Sequence, residues 1–208
     1  MADAQTESGV SQYEQSAESE TVRKLEAKIQ DLKALVRVSA VISSTLNLRD
    51  LLELIMKSAE EVAHAESSSL MLLDEDAKEL VFEVATGEKG QEVSRLSVPL
   101  GSGIAGHVAQ TGEIVVVNDV SKDPRFYSQI DKTVGFQTRS LLCVPLKARD
   151  KIIGVLEVVN KSGEETFTDD DVELCTALAG QASIAIDNAR LYQELADALV
   201  TSRLSYRL

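Results

Sequence analysis

Between Asn47 and Val159 the spacing of apolar residues changes period, and the change divides the chain into helical and strand-like parts. Leu51, Leu52, Ile55, Met56 and Val62 recur at helical spacing, which predicts an amphipathic helix from Leu48 to about Ala63 with Asn47 as its N-cap. Upstream, Leu25, Ile29, Leu32 and Val36 fall four, three and four residues apart, a stripe suited to a short coiled-coil seam. From Ser67 the pattern turns to strands: Ser67 to Asp74 and Glu79 to Ala85, joined by the hairpin signal DEDAK, then Ser94 to Val98.

The stretch Pro99 to Gly112, PLGSGIAGHVAQTG, predicts a glycine-opened helix over Gly103 to Thr111 with Ser102 as its cap. The unpaired N–H groups of such a first turn, approachable because of the glycines, form a ready site for phosphate or carboxylate. Ile114 to Val117 resumes strand, and Asp119 to Gly135 reads as a long connection of the kind that forms lids. Arg139 to Leu146 and Lys151 to Val159 read as a hairpin, and Thr168 or Asp169 begins a final helix reaching at least Leu199.

Tight turns between most strands imply an antiparallel sheet, and the apolar runs SLLCVPL and IIGVL imply that both its faces are covered. The fold class is therefore α+β, with terminal helices on one face and the glycine-opened helix, long loop and any pocket on the other.

Charge narrows the partners. The chain carries −13, and residues 1–20 supply five carboxylates and no Lys or Arg, leaving −8 on the remainder. Nucleic acid and anionic membranes are disfavoured, and a small anion needs a sheltered pocket with local dipoles. No run approaches the roughly 18 apolar residues of a spanning helix, and MADAQTES lacks the features of a signal peptide, so a cytoplasmic location is expected. Residues 1–20 read as a disordered acidic tail and 21–45 as a linker or dimerisation helix.

The candidate chemistry is sparse. Cys143 and Cys175 lie far apart in apolar runs, and His64 and His107 have no nearby ligand partners, so neither metal nor cofactor is expected. No nucleophile elbow, Walker sequence or paired cysteine and histidine appears, which argues against an enzyme. Glu157 stands inside the apolar strand GVLEVVN, where an unanswered carboxylate is costly. It can face solvent at an edge, pair with a basic side chain, or meet a ligand in a pocket. Ser69 and Thr138 are polar entries at otherwise apolar strand positions. Lys161 and the acidic run Asp169 to Asp171 suggest a bridge tying the hairpin exit to the last helix, stronger if Phe167 shields it.

Together the segments AESSSLMLLD, PLGSGIAGHVAQTGEIVVVNDV, DPRFY, GFQTRSLLCVPL, IIGVLEVVNK and LAGQASIAIDNARLYQEL resemble the GAF family of small-molecule sensor domains. The likeness covers roughly residues 46–195, leaving 196–208 as a helix extension. It implies a GAF/PAS-like antiparallel sheet of about six strands. Within the family the chain is most similar to the cyclic-nucleotide-binding domains of phosphodiesterases and adenylyl cyclases, whose hallmark is Asn-Lys, a Phe, three residues, then Asp-Glu. Asn160, Lys161, Phe167 and Asp171 match it, with Val172 in place of Glu.

The resemblance implies that a cyclic phosphate meets the backbone of Ile104 and Ala105, and that purine and ribose meet Ser69, Tyr127, Asp131, Thr138 and Glu157. Three positions depart: Ala85 and Thr86 replace an aromatic ring and an Asp, and Val134 replaces a Thr. The function implied is a non-catalytic sensor of cAMP or cGMP that signals through its terminal helices to a partner. The alternative is a dimerisation or interaction module whose pocket is vestigial or serves another metabolite. Ile184, Asn188, Leu191, Leu195 and Ala198 form a stripe matching the one at Leu25 to Val36, so a homodimer through a helical bundle is expected. Methionine sulfoxide reduction, which some small GAF proteins perform, needs reactive cysteines, and a bilin or haem sensor needs a cysteine or histidine in the pocket.

Overall fold

The computed structural model describes residues 48–93, 95–163 and 166–205, with side chains to residue 192. The acidic tail, the stripe Leu25 to Val36, the Asn47 cap and the side chains of Leu195 and Ala198 lie outside the described residues. Helix α1 (Leu48–Ala63) leads into strands β1 (Ala65–Asp74) and β2 (Glu79–Ala85), a short helix α2 (Gly90–Val93) and strand β3 (Ser97–Pro99). Helix α3 (Gly103–Thr111), strand β4 (Val115–Val117), a 3-10 turn (Val120–Lys122) and helix α4 (Gln129–Val134) follow. The hairpin β5 (Leu141–Ala148) and β6 (Lys151–Lys161) then runs to helix α5 (Asp169–Ser205).

All six strands join one antiparallel sheet in the order β3-β2-β1-β6-β5-β4. Alternation along each strand divides its side chains between two cores. Leu70, Leu142, Val144, Leu156 and Val158 pack under α1 and α5, and Leu51, Leu52, Ile55, Met56 and Val62 of α1 are buried against them. Met71, Leu80, Phe82, Cys143 and Val155 face the other way, toward α3. Each fully buried aliphatic chain contributes about 1.5–3 kcal/mol, so the two-sided burial holds the sheet.

Three sequence expectations need correction, and a fourth holds in position only. The third strand is Ser97–Pro99, because residues 90–93 form α2. The connection Asp119 to Gly135 holds the 3-10 turn and α4, short helices that carry too few apolar positions to show a period. The last strand runs on to Lys161, which pairs with Ala65 of β1 beyond Asn160, a residue in the left-handed conformation (φ 60°). Ser102 occupies the cap position of α3, yet its side chain makes no capping hydrogen bond.

A bulge sets what β2 presents to each face. Ser69 pairs with Ala85, Leu70 with Val84 and Met71 with Phe82, so Glu83 has no partner across the ladder. The extra residue turns Phe82 and Ala85 to the same face while Val84 joins the opposite core. In β6, a Cβ added at Gly154 would stand 2.1 Å from the carbonyl oxygen of Met71 in β1. Gly154→Ala is expected to destabilise the domain by about 1–3 kcal/mol, read as a lower midpoint in urea unfolding. An unchanged midpoint would show that β1 gives way without strain.

Candidate functional site

Between the sheet and the helices of its second face lies a cavity of about 330 Å3, within the range of small-molecule sites. Its floor follows from the strand register. Ala85, Ser69, Glu157 and Cys143 stand in one row across β2, β1, β6 and β5, with the first three lining the space. Its wall is the start of α3, and its roof is the segment from Phe126 to Thr138.

All ten positions singled out in the sequence, Ser69, Ala85, Thr86, Ile104, Ala105, Tyr127, Asp131, Val134, Thr138 and Glu157, line this one cavity. Their side chains are not all available to a ligand. Thr86 Oγ1 accepts from the backbone N–H of Ser68 at 2.8 Å and stands 3.0 Å from both the carbonyl oxygen and the hydroxyl of Ser68. This hydroxyl stitches β2 to β1, so reading a ligand through it requires breaking those bonds. Asp131 accepts from the Thr138 N–H and the Thr138 hydroxyl, each at 2.8 Å, and so closes the roof onto the entry of β5.

The wall is built for close approach. Gly103 has φ 66°, and a Cβ there would stand 2.8 Å from Tyr127 Cβ, so glycine lets the roof rest on α3. The first bond across this end of α3 runs from Gly106 N–H to Ser102 O at 3.1 Å, which leaves the N–H groups of Ile104 and Ala105 ahead of it. With Ser102 making no side-chain cap, these amides stand at the positive end of the helix dipole beside the cavity.

Elsewhere the lining is acidic: Glu66, Glu88, Asp131 and Glu157 against Lys89. Glu66 is held below the usual carboxylate range, first by Arg139, whose guanidinium lies 2.6 Å away, and also by Asn160 Nδ2 at 2.8 Å. Lys89 pairs with Glu92 at 3.2 Å. Glu157 stands apart. Of the three environments open to it, the edge is excluded because β6 is internal to the sheet, and among the described residues no basic side chain pairs with it. Its accessible surface faces the cavity, and burial, aided by the charge of Asp131, pushes its carboxyl up to about 7.

The structure also supplies lining residues that the sequence reading did not name. Phe82, Phe126 and Phe136 border the space beside the expected Tyr127, the four making half of the eight aromatic residues in the chain. Phe126, Tyr127 and Phe136 flank α4 within motifs already quoted, while Phe82 reaches the cavity only through the bulge. Three rings beside the expected Tyr127 therefore surround a space where Ala85 itself offers none.

Outside the cavity, Lys161 Nζ lies 2.7 and 2.8 Å from the two carboxylate oxygens of Asp171, both side chains being 6% exposed. Phe167 covers the pair, its ring centre 5.8 Å from Nζ. Asn160 accepts from Arg139 N–H at 2.7 Å and donates to Gln137 O at 2.9 Å, fixing the entry to β5. These residues shape the scaffold around the cavity. Cys143 and Cys175 are fully buried, and burial raises both thiols, that of Cys175 to about 12, which keeps them out of the reactive thiolate form. Among the described residues no cluster of His, Cys, Asp or Glu is arranged to hold a metal, and no helix is long and apolar enough to cross a membrane.

The chain is 34% identical over 167 residues to the dual 3',5'-cyclic-AMP and -GMP phosphodiesterase 11 of Drosophila melanogaster, an alignment covering 74% of this chain and 12% of that protein. The chain thus spans a small part of that relative's length. Among solved structures it is similar to the GAF domain from an Acinetobacter phosphoenolpyruvate-protein phosphotransferase, with TM-score 0.68 and 28% identity over 79% of this chain and 98% of the other. The fold is shared with the free methionine-R-sulfoxide reductase of Neisseria meningitidis, at TM-score 0.66 and 22% identity over 80% and 93%. The profile described as GAF domain matches residues 47–186, and with the six-stranded sheet and the cavity it encloses, this chain belongs to the GAF domain family of regulatory sensor domains.

Proposed function

We propose that this chain is a non-catalytic, cytoplasmic sensor domain whose cavity takes a cyclic nucleotide, cAMP or cGMP, and that occupancy is passed to a partner through the terminal helices. The observation that carries this reading is the convergence of the ten cavity positions, with the N–H groups of Ile104 and Ala105 at the start of α3 offering donors to a cyclic phosphate. Likeness to a phosphodiesterase of both nucleotides adds support. The acidic lining opposes an anion elsewhere in the space, which concentrates the phosphate at those amides. Four rings offer the purine apolar and stacking contact without an aromatic residue at position 85.

Titration calorimetry with cAMP and cGMP is expected to give saturable binding, and no heat at millimolar ligand overturns the reading. Ala85→Phe is expected to tighten binding about two- to tenfold by adding a stacking surface on the floor. Weakened binding in that variant would mean that the small side chain is what admits the ligand.

A second reading, a dimerisation module, is favoured by α5. Ile184 is 54% exposed and Tyr192 75%, with Leu191 also exposed on a helix that continues to Ser205. Such a surface fits a second copy packed along the same helix. Light scattering that finds a monomer at high concentration overturns it.

A further inference from the structure

Glu157 is the cavity carboxyl that stands on the sheet floor, where among the described residues no basic side chain pairs with it, and the chemistry of a carboxyl depends on its proton. Ionised, it only accepts hydrogen bonds; protonated, one oxygen donates while the other accepts. We infer that Glu157 reads the base of the bound ligand, selecting a guanine edge when ionised and an adenine edge when protonated. The inference rests on the cyclic-nucleotide reading and adds to it the rule by which one base is preferred.

The two edges differ in the way that a carboxyl can detect. Guanine presents two adjacent donors, N1–H and the N2 amino group, which match the two oxygens of a carboxylate. Adenine presents N1 as an acceptor beside the N6 amino donor, so a carboxylate faces N1 lone pair against lone pair. A carboxylic acid answers both adenine atoms, its O–H donating to N1 while its carbonyl oxygen accepts from the amino group. The same acid satisfies only one of guanine's donors well. A matched pair of such bonds in a buried site discriminates by roughly tenfold to a hundredfold.

The surroundings leave Glu157 free to do this. Ser69, beside it on β1, is neutral, and Cys143, beside it on β5, has a thiol pushed up by burial and by Glu157 itself. From α4, Asp131 faces it while bound to Thr138, so it adds negative charge without donating a proton bond. Farther around the lining, Glu66 is paired with Arg139, Lys89 with Glu92, and Glu88 adds one more negative charge near the rim, while Tyr127 carries a phenol on the roof. On α3, His107 lies 3.8 Å from Glu113 and does not line the cavity. Burial and the neighbouring Asp131 charge bring the ionisation of Glu157 to about 7, where modest pH changes alter its proton occupancy.

The test is equilibrium binding of cGMP, cAMP, guanosine and adenosine to the full 208-residue chain at pH 5.5 and pH 8.5, for the native protein and Glu157→Gln. The guanine compounds are expected to bind at least about tenfold tighter than the adenine compounds at pH 8.5, with the ratio falling about tenfold or more at pH 5.5. In Glu157→Gln, whose amide cannot ionise, the ratio is expected not to change with pH. The native pH comparison alone carries the test if that variant does not fold. Cyclic nucleotides bound with a base ratio insensitive to pH overturn the inference and leave the cyclic-nucleotide reading standing. Nucleosides bound with the expected pH-dependent ratio, but cyclic nucleotides not bound, support the inference as a base-reading rule and overturn the cyclic-nucleotide reading. Binding of none of the four compounds overturns both.

Discussion

Lys161→Ala is expected to remove about 3–5 kcal/mol of stability, a large share of the 5–15 kcal/mol that a domain of this kind possesses. The ammonium makes two contacts with Asp171, at 2.7 and 2.8 Å, in a site where each side chain is 6% exposed. An exposed pair contributes about 0–1 kcal/mol, because water competes for both charges. Here water is excluded, and truncating the lysine strands a carboxylate that cannot regain its hydration.

Asp171 retains some support. Its Oδ2 accepts from the Thr168 N–H at 2.7 Å and the Thr168 hydroxyl at 3.0 Å, at the start of α5 where the helix dipole favours negative charge. Asp171→Ala is therefore expected to cost at least as much, since it leaves a buried ammonium and removes those bonds. The paired change Lys161→Met with Asp171→Leu is expected to restore most of the loss, because it removes both charges together. Urea unfolding of the four proteins checks this. A loss under about 1 kcal/mol for Lys161→Ala would mean that water reaches the pair despite Phe167.

Glu157 is expected to make the free domain less stable as pH rises from about 4.5 to 7. Its folded carboxyl titrates near 7 against the ordinary 4.5, so within that window the folded state holds more protons than the unfolded state. Stability must then fall with rising pH: the contribution is complete below the unfolded value and is lost by the time pH passes the folded one. At about 1.4 kcal/mol per unit the loss approaches roughly 3 kcal/mol, less whatever water in the cavity recovers. Glu157→Gln keeps the shape and removes the ionisation. The stability of the variant relative to the native protein is expected to rise by that amount between pH 4.5 and pH 8 in thermal or urea unfolding. A difference that stays flat across the window would place the carboxyl in contact with bulk water. The lowered carboxyls of Glu66, Asp119 and Asp123 act in the opposite sense and at lower pH, so they do not mimic the effect.

The residues most legible in the sequence were those whose local pattern alone reports which faces are buried. The buried face of α1 follows from helical periodicity, and the two covered faces of β5 and β6 follow from unbroken apolar runs, because a strand buried on both sides has no polar face to alternate with. The site positions came through family resemblance, and the cavity contains all ten. The same resemblance did not reveal that Thr86 is committed to Ser68, or that Asp131 is committed to Thr138. A hydroxyl in a sequence names a donor and an acceptor, whereas its partners depend on which strand lies beside it.

Composition and pattern by themselves determined an acidic α+β domain with a doubly covered antiparallel sheet and a glycine-opened helix, and suggested a bridge from Lys161 whose shielding only the structure supplied. Tertiary structure alone decided the chemistry of the cavity. The bulge opposite Leu70 and Met71 turned Phe82 into the space, and the internal placement of β6 left Glu157 facing it without a basic partner among the described residues. Both outcomes depend on strand order and register, which are set by nonlocal pairing. A one-residue change in register moves a side chain to the opposite face of the sheet while the sequence on either side stays the same.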